Sequence, residues 1–465
     1  MIGRMLSHDL SARIQLPLAA AVLAGALVLG GGQGTPGDSA VQVLAQGLLA
    51  LCLWRHGTGT GARLPRASWL AGLVLALPLL QLLPIPDALW LMPEARTGIA
   101  AELSAAGVDV PSRWSLVPLA TERALHWLLP AVALFLAALQ MEAAQRNTLL
   151  KLVVLGAAAS VVLGLAQLAG GTESALRFYT ITNPTEAVGF FANRNHLASL
   201  LAVALPLVVV GTARWLAKRD EMDARTLLGL VAGIGLVALL ILGIAITLSR
   251  AGIVLGMVGL LISLPIVLGL RRRRRAGRAL AAAVALGLTL AVQFALFGIL
   301  QRLEKDPLED ARFQYLPVVE SVAREHWPLG AGLGGFRRAF EAEDPSPIEP
   351  YVNHAHNDWA EVWLEAGWPG WALIGGAVAA LLVSGWRVWR PGRSASPGQT
   401  AIARAAWLGL LLLALHSLGD YPLRKTAMLA VAGVLAGCVA GRAGREKAGL
   451  PGPGPARSLD PAFNP

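Results

Sequence analysis

The sequence predicts an all-α polytopic membrane protein of about twelve transmembrane helices, with a long loop between the ninth and tenth, and three observations carry that reading. Apolar residues make up 55% of the 465 and charged residues only 15%, with a mean hydropathy of +0.58. Charges that scarce cannot cover a soluble globule of this size. Uncharged runs recur, and two of them, Thr226 to Ser249 and Ala251 to Leu270, are each about the 20 residues that cross ~30 Å of hydrocarbon as a helix. A spanning backbone must satisfy its own hydrogen bonds, which leaves helices or closed barrels. The short alternating strands of a barrel are not in this sequence.

In order along the chain, the apolar windows fall near residues 14–31, 40–54, 68–84, 124–140, 148–169, 195–213, 226–248, 251–270, 279–300, 366–386, 402–419 and 426–441. The first follows Arg4 and Arg13 and could pass for a signal peptide. With so many spans behind it, it reads as an uncleaved first helix. Cys52 and Cys438 lie inside apolar runs, where a thiol is a small packing residue.

A net charge of +10 raises nucleic-acid binding, but the basic residues sit in short tracts between hydrophobic spans, not along one soluble face. No nucleic acid is expected. The tract RRRRRAGR (271–278) fixes orientation, because dense Lys and Arg are retained in the cytoplasm. Alternating outward from it places both termini in the cytoplasm, with most of the 39 Lys and Arg. Three long segments, about 85–123, 170–194 and 301–365, then face the opposite side and hold most of the polar chemistry. The chain divides into N-terminal transmembrane helices (1–188), a core (189–441) that includes the loop 301–365, and a Pro- and Gly-rich tail (442–465) read as a disordered cytoplasmic segment.

Four polar stretches stand out. GFFANRNHLAS (189–199) puts Arg194, Asn195 and His196 at the outer mouth of the sixth span; interfacial anchoring explains an arginine and aromatics there, and an Arg-Asn-His run exceeds it. In ITLSRAGIVLG (246–256), Arg250 joins two apolar spans with no acid within twenty positions. It either snorkels to the interface or awaits an anion, for which a planar, permanently charged guanidinium suits phosphate. The loop stretch 309–336 carries Arg312 on an amphipathic helix, then Pro328 and Gly330, Gly332, Gly334 and Gly335. Without a preceding strand and an internal lysine it is no nucleotide loop, and it reads as a tight turn back to the membrane.

The fourth is YVNHAHNDWAEVWLEAGWPG (351–370). A helix from near Asn357 places Asn357, Glu361 and Glu365 on one face, with His354 and His356 just before it. Metal binding, a satisfied structural histidine and a general base all fit two histidines beside carboxylates; HExxH is absent, and imidazole titrates near neutral pH. HSLGDYPLRKTAMLA (416–430) adds His416, Asp420, Tyr421 and Arg424 on the same side, with Asp420 and Arg424 able to pair with each other.

The set of NRNH opening a span, SRAG at an outer turn, an Arg-bearing loop ending in P-x-G-x-G, and HAHND leading to E-x-G-x-x-G resembles the O-antigen ligase and polymerase superfamily of bacterial inner-membrane glycosyltransferases. The likeness runs from about Gly189 to Ala430. It implies a GT-C-like helical fold, and an enzyme that moves a glycan from undecaprenyl diphosphate to an acceptor hydroxyl, lipid A core or a growing glycan, at the periplasmic face. It implies no cofactor, neither nucleotide sugar nor metal. By the same resemblance His356 is the general base of an inverting transfer, and Arg250 and Arg312 face the lipid diphosphate. Arg194, Asn195, His354, Asn357, Glu365 and Arg424 are the expected substrate-binding residues. Polymerisation of repeat units, or solute (bicarbonate-like) transport, are the alternatives; against transport, the polar residues cluster at outer helix ends, not at the bilayer midplane.

Overall fold

A computed structural model of the chain describes residues 2–32, 34–58, 66–109, 112–179, 183–219, 221–270, 311–343, 352–390 and 396–447. The described chain is helical throughout and contains no strand, only an isolated bridge between Pro84 and Arg113. Its α-helices are α1 (Ile2–Leu29), α2 (Pro36–Gly57), α3 (Trp69–Gln81), α4 (Asp87–Trp90), α5 (Glu94–Ala105), α6 (Pro118–Gln140), α7 (Ala143–Ala169), α8 (Arg194–Leu216), α9 (Ala224–Thr247), α10 (Arg250–Gly269), α11 (Ala311–Glu325), α12 (Phe336–Glu343), α13 (Asp358–Trp389), α14 (Pro397–His416) and α15 (Thr426–Lys447).

Nine of the described helices are long and apolar enough to cross a membrane, and two shorter apolar ones, Trp69–Gln81 and Thr426–Gly441, coincide with further expected spans. The expected ninth span (279–300), the arginine tract 271–278 and most of the tail lie outside the described residues. The polytopic helical class is therefore as expected. One boundary differs: the span expected from 366 begins at Asp358, because the polar residues after Asn357 form the first turns of the same helix.

Helix α8 lies at the centre, packed by α9, α10 and α14, and its own Leu197, Leu200, Leu201 and Leu205 are fully buried. Between membrane helices hydrophobicity gives little drive, so close approach and polar contacts hold them together. Both occur. On α15, Gly433 and Gly437 let α6 approach until a Cβ on Gly433 would stand 2.3 Å from the Ala131 carbonyl oxygen. Gln15 donates to Gln140 at 2.7 Å, and Gln140 donates to the Cys52 carbonyl at 2.9 Å, which ties α1, α2 and α6. Cys52 and Cys438 are free and buried, packing residues as expected.

Outside this bundle, α11 and α12 build a small second core over the start of α13 from Val319, Val322, Phe336, Phe340, Ala355 and Leu364. That core positions the HAHN loop against the bundle.

Candidate active site

Three capped helix starts meet at one end of the bundle. Asn193 accepts from the Asn195 amide at 2.8 Å at the head of α8, and Ser249 accepts from Gly252 at 3.2 Å at the head of α10. Asn357 accepts from Trp359 and Ala360 at 3.0 and 3.1 Å at the head of α13, as the sequence spacing predicts. Each start carries the positive end of a helix dipole, which favours an anion nearby. The heads of α8 and α10 are in contact, since a Cβ on Gly252 would meet Ala198 Cβ at 2.4 Å.

Arg250 is the first residue of α10 and is exposed. It follows Leu248, whose left-handed backbone (φ 51°) turns the chain sharply between α9 and α10. Arg194, at the head of α8, is ion-paired with Glu186, and its amide donates to Asn183 at 3.1 Å. Asn195 is buried one residue on. Arg312 belongs to the first turn of α11; its side chain lies outside the described ones.

The HAHN loop is pinned on both sides of His356. The His354 Nδ1 is 2.8 Å from Glu361 Oε1, and the Ala355 amide donates to Glu361 Oε2 at 2.9 Å. Asn357 Nδ2 donates to the Leu418 carbonyl at 3.0 Å, and the Asp358 amide to the Ser417 carbonyl at 3.0 Å. Between these ties His356 adopts φ 50°, a left-handed conformation that costs a branched or bulky residue free energy and persists only where its surroundings over-determine it. Its Nδ1 is buried and stands 3.7 Å from Asp420 Oδ1, while the side chain as a whole is 23% exposed.

Asp420 is shared. The same Oδ1 lies 3.7 Å from Nε2 of His196, a fully buried imidazole on α8. Tyr421 forms the wall between them: His354 stacks on it at 4.2 Å, and His196 and His356 meet it edge-on at 4.8 and 4.9 Å. Deeper, His416 Nδ1 is 2.5 Å from Ser199 Oγ.

Arg424 does not pair with Asp420. Its Nη1 donates to Glu365 at 2.6 Å, and its Nε lies 3.4 Å from Glu361 and 3.6 Å from Asp358. These carboxylates line one face of α13, and the guanidinium also sits 5.7 Å over the Trp127 ring. Burial opposes its charge, yet the three carboxylates together hold its proton affinity above the ordinary arginine value. Next to it Lys425, 4% exposed, is pushed down to about 8 by loss of hydration, against the pull of Glu361, Asp38, Asp420 and Asp358.

The glycine turn closes the far side of this cluster, in keeping with the tight return expected of it. Gly332 donates to the Glu365 carbonyl at 2.8 Å, and Trp368 donates to that of Pro328 at 2.9 Å. Here α13 kinks at Gly367 (φ 52°, ψ −131°), where a Cβ would fall 2.1 Å from the Pro328 oxygen. Buried Arg96 donates to the Gly330 carbonyl at 2.9 Å and the Trp114 carbonyl at 2.6 Å, joining the 85–123 segment to the same latch. Burial without a carboxylate pushes Arg96 down to about 10.

His354, His356, Asn357, Glu365 and Arg424 are thus brought into one cluster, which Asn195 joins through its neighbour His196. Sequence reading placed His196, Asp358, Asp420, Tyr421 and Lys425 outside the site set. The signal for Asp420, Tyr421 and Lys425 was HSLGDYPLRK, whose polar residues stand against apolar spans on either side, while His196 and Asp358 lie within NRNH and HAHND. Nothing in the sequence pointed to Asp38, which the turn between α1 and α2 brings within electrostatic reach of Lys425. Among the described residues no three His, Cys, Asp or Glu side chains converge as metal ligands would.

Residues 235–375 match a family model described as O-antigen ligase, a match that supports the O-antigen ligase/polymerase superfamily for this chain. The matched segment takes in Arg250, the glycine turn, the HAHN loop and the kink of α13. No curated protein matches the chain.

Proposed function

We propose, on the premise that this is an O-antigen ligase/polymerase-type membrane glycosyltransferase, that it transfers a glycan from a polyprenyl diphosphate carrier to an acceptor hydroxyl with His356 as general base. The observation that carries the reading is the strained, partly exposed His356 whose Nδ1 faces buried Asp420. A carboxylate on that side favours the tautomer with hydrogen on Nδ1 and leaves Nε2 to accept a proton.

In the step, the acceptor oxygen forms a bond to the anomeric carbon and its proton passes to His356 Nε2. The bond from that carbon to the diphosphate oxygen breaks, with its electron pair leaving on the diphosphate. Attack opposite the leaving group inverts the centre. Charge grows on the diphosphate, so a cation that never deprotonates is needed beside it. Exposed Arg250 at a helix start meets that need, and Arg312 is assigned the same role. Arg194, held by Glu186, and Asn195 border the donor side; His354, Asn357, Glu365 and Arg424 hold the loop that presents His356. In this reading the site faces the periplasm from the inner membrane, with both termini cytoplasmic.

The test is a deletion strain examined for surface polysaccharide and complemented with His356→Ala. Loss of capped lipopolysaccharide with polymer left on the carrier identifies a ligase. Single repeat units on lipid A identify a polymerase. Full complementation by a correctly inserted His356→Ala overturns the assigned base.

A further inference from the structure

No bond is made or broken at Lys425 in that transfer, yet it is 4% exposed at the floor of the site, where an ammonium gives up most of its hydration. Its Nζ lies 5.2 Å from the centroid of the Tyr421 ring. The same ring stacks on His354 at 4.2 Å and takes the edge of His356 at 4.9 Å. Carboxylates reach Lys425 from each element packed around it: Glu361 and Asp358 from α13, Asp38 from the start of α2, and Asp420 from the turn after α14.

His354 is pulled in both directions. Burial, above all, and then the charges of Lys425 and Arg424 disfavour its imidazolium, while Glu361 at 2.8 Å favours it. The balance falls below the ordinary histidine value. Glu361 is already shared with the Ala355 amide and Arg424, which weakens its hold on a proton at His354. The balance bears on the neighbouring histidine, because a charge on His354 would repel a second one on His356 across the shared Tyr421 ring.

We propose that Lys425 is a positioning residue for the proton transfer: its charge, held against Tyr421, keeps His354 unprotonated beside Glu361 and leaves His356 as the imidazole that takes the acceptor's proton. The inference rests on His356 being the base. It does not restate that role, since the charge state of His354 can be read with no substrate present.

The full chain, its histidine rings labelled with nitrogen-15, is reconstituted in lipid nanodiscs and titrated from pH 5 to 8. With eight histidines in the chain, His354→Gln and His356→Gln assign the two signals. In the wild type the His354 midpoint lies below the ordinary histidine value. In Lys425→Met its midpoint rises by about one pH unit or more, and Lys425→Arg returns it to the wild-type position. In cells grown at pH 6, Lys425→Met transfers about tenfold less glycan than Lys425→Arg, a gap that closes at pH 8. A His354 midpoint unmoved in Lys425→Met overturns the proposal. If that variant fails to insert, a wild-type His354 midpoint at or above the ordinary histidine value overturns it equally. Activity retained by His356→Ala sinks the base assignment instead, and the two failures are told apart.

Discussion

The Nδ1 of His356 and the Oδ1 of Asp420 stand 3.7 Å apart, the carboxylate fully buried and the imidazole partly exposed. The separation is too long for a hydrogen bond and short enough for the carboxylate to stabilise an imidazolium as it forms. Asp420→Asn keeps the shape and removes that charge. It is expected to lower transfer by about 100-fold or more with insertion unchanged, measured by complementation against His356→Ala in the same strain.

Arg250 is exposed and forms no ion pair among the described residues, so its removal separates catalysis from folding. Arg250→Ala is expected to melt in detergent at the wild-type temperature and to lose about 100- to 1,000-fold in transfer rate. Arg250→Lys keeps the charge without the planar fork and falls between the two. A wild-type rate in Arg250→Ala would remove it from the donor site.

Arg424 behaves in the opposite way. Its loss removes the one guanidinium that Asp358, Glu361 and Glu365 share and leaves only the more distant charge of Lys425 to offset them. Arg424→Ala is expected to cost about 3–5 kcal/mol, seen as a lower melting temperature and reduced membrane accumulation. Lysine cannot reach three carboxylates in a fork and restores little.

Gly367→Ala tests the latch. A side chain there meets the Pro328 carbonyl in a backbone region that L residues rarely adopt. A loss of about 2 kcal/mol or more is expected. The same change at Gly375, where the helix is regular and a Cβ meets nothing within 4 Å, should be neutral or slightly stabilising.

Lys425 sets a pH dependence of stability. Its folded value of about 8 lies below the ordinary lysine value of 10.5, so the unfolded chain binds more protons between those limits. Stability contributed by this group therefore rises as pH climbs from about 8 to 10.5 and is least below 8, a span of order 3 kcal/mol. Subtracting the pH profile of Lys425→Met melting from that of the wild type should expose the rise; superimposable profiles would show that burial does not perturb Lys425.

The sequence by itself determined the membrane class, most of the spans, the cap at Asn357 and the shared face of Glu361 and Glu365. Hydropathy and helical period are local properties, so they can be read without knowing what packs where. Arg250 was legible for the same reason, as a lone cation between two apolar runs. The tertiary structure alone decided the partners. Asp420 and Arg424, four positions apart, could have paired with each other; instead Arg424 reaches Glu365, 59 positions away, and Asp420 turns to His196 and His356. It also decided that Lys425 is buried, that Asp38 from the first hairpin faces it, and that α13 kinks at Gly367 around the glycine turn. Which charges meet inside a protein depends on where packed helices bring chain segments together, and neither composition nor spacing carries that information.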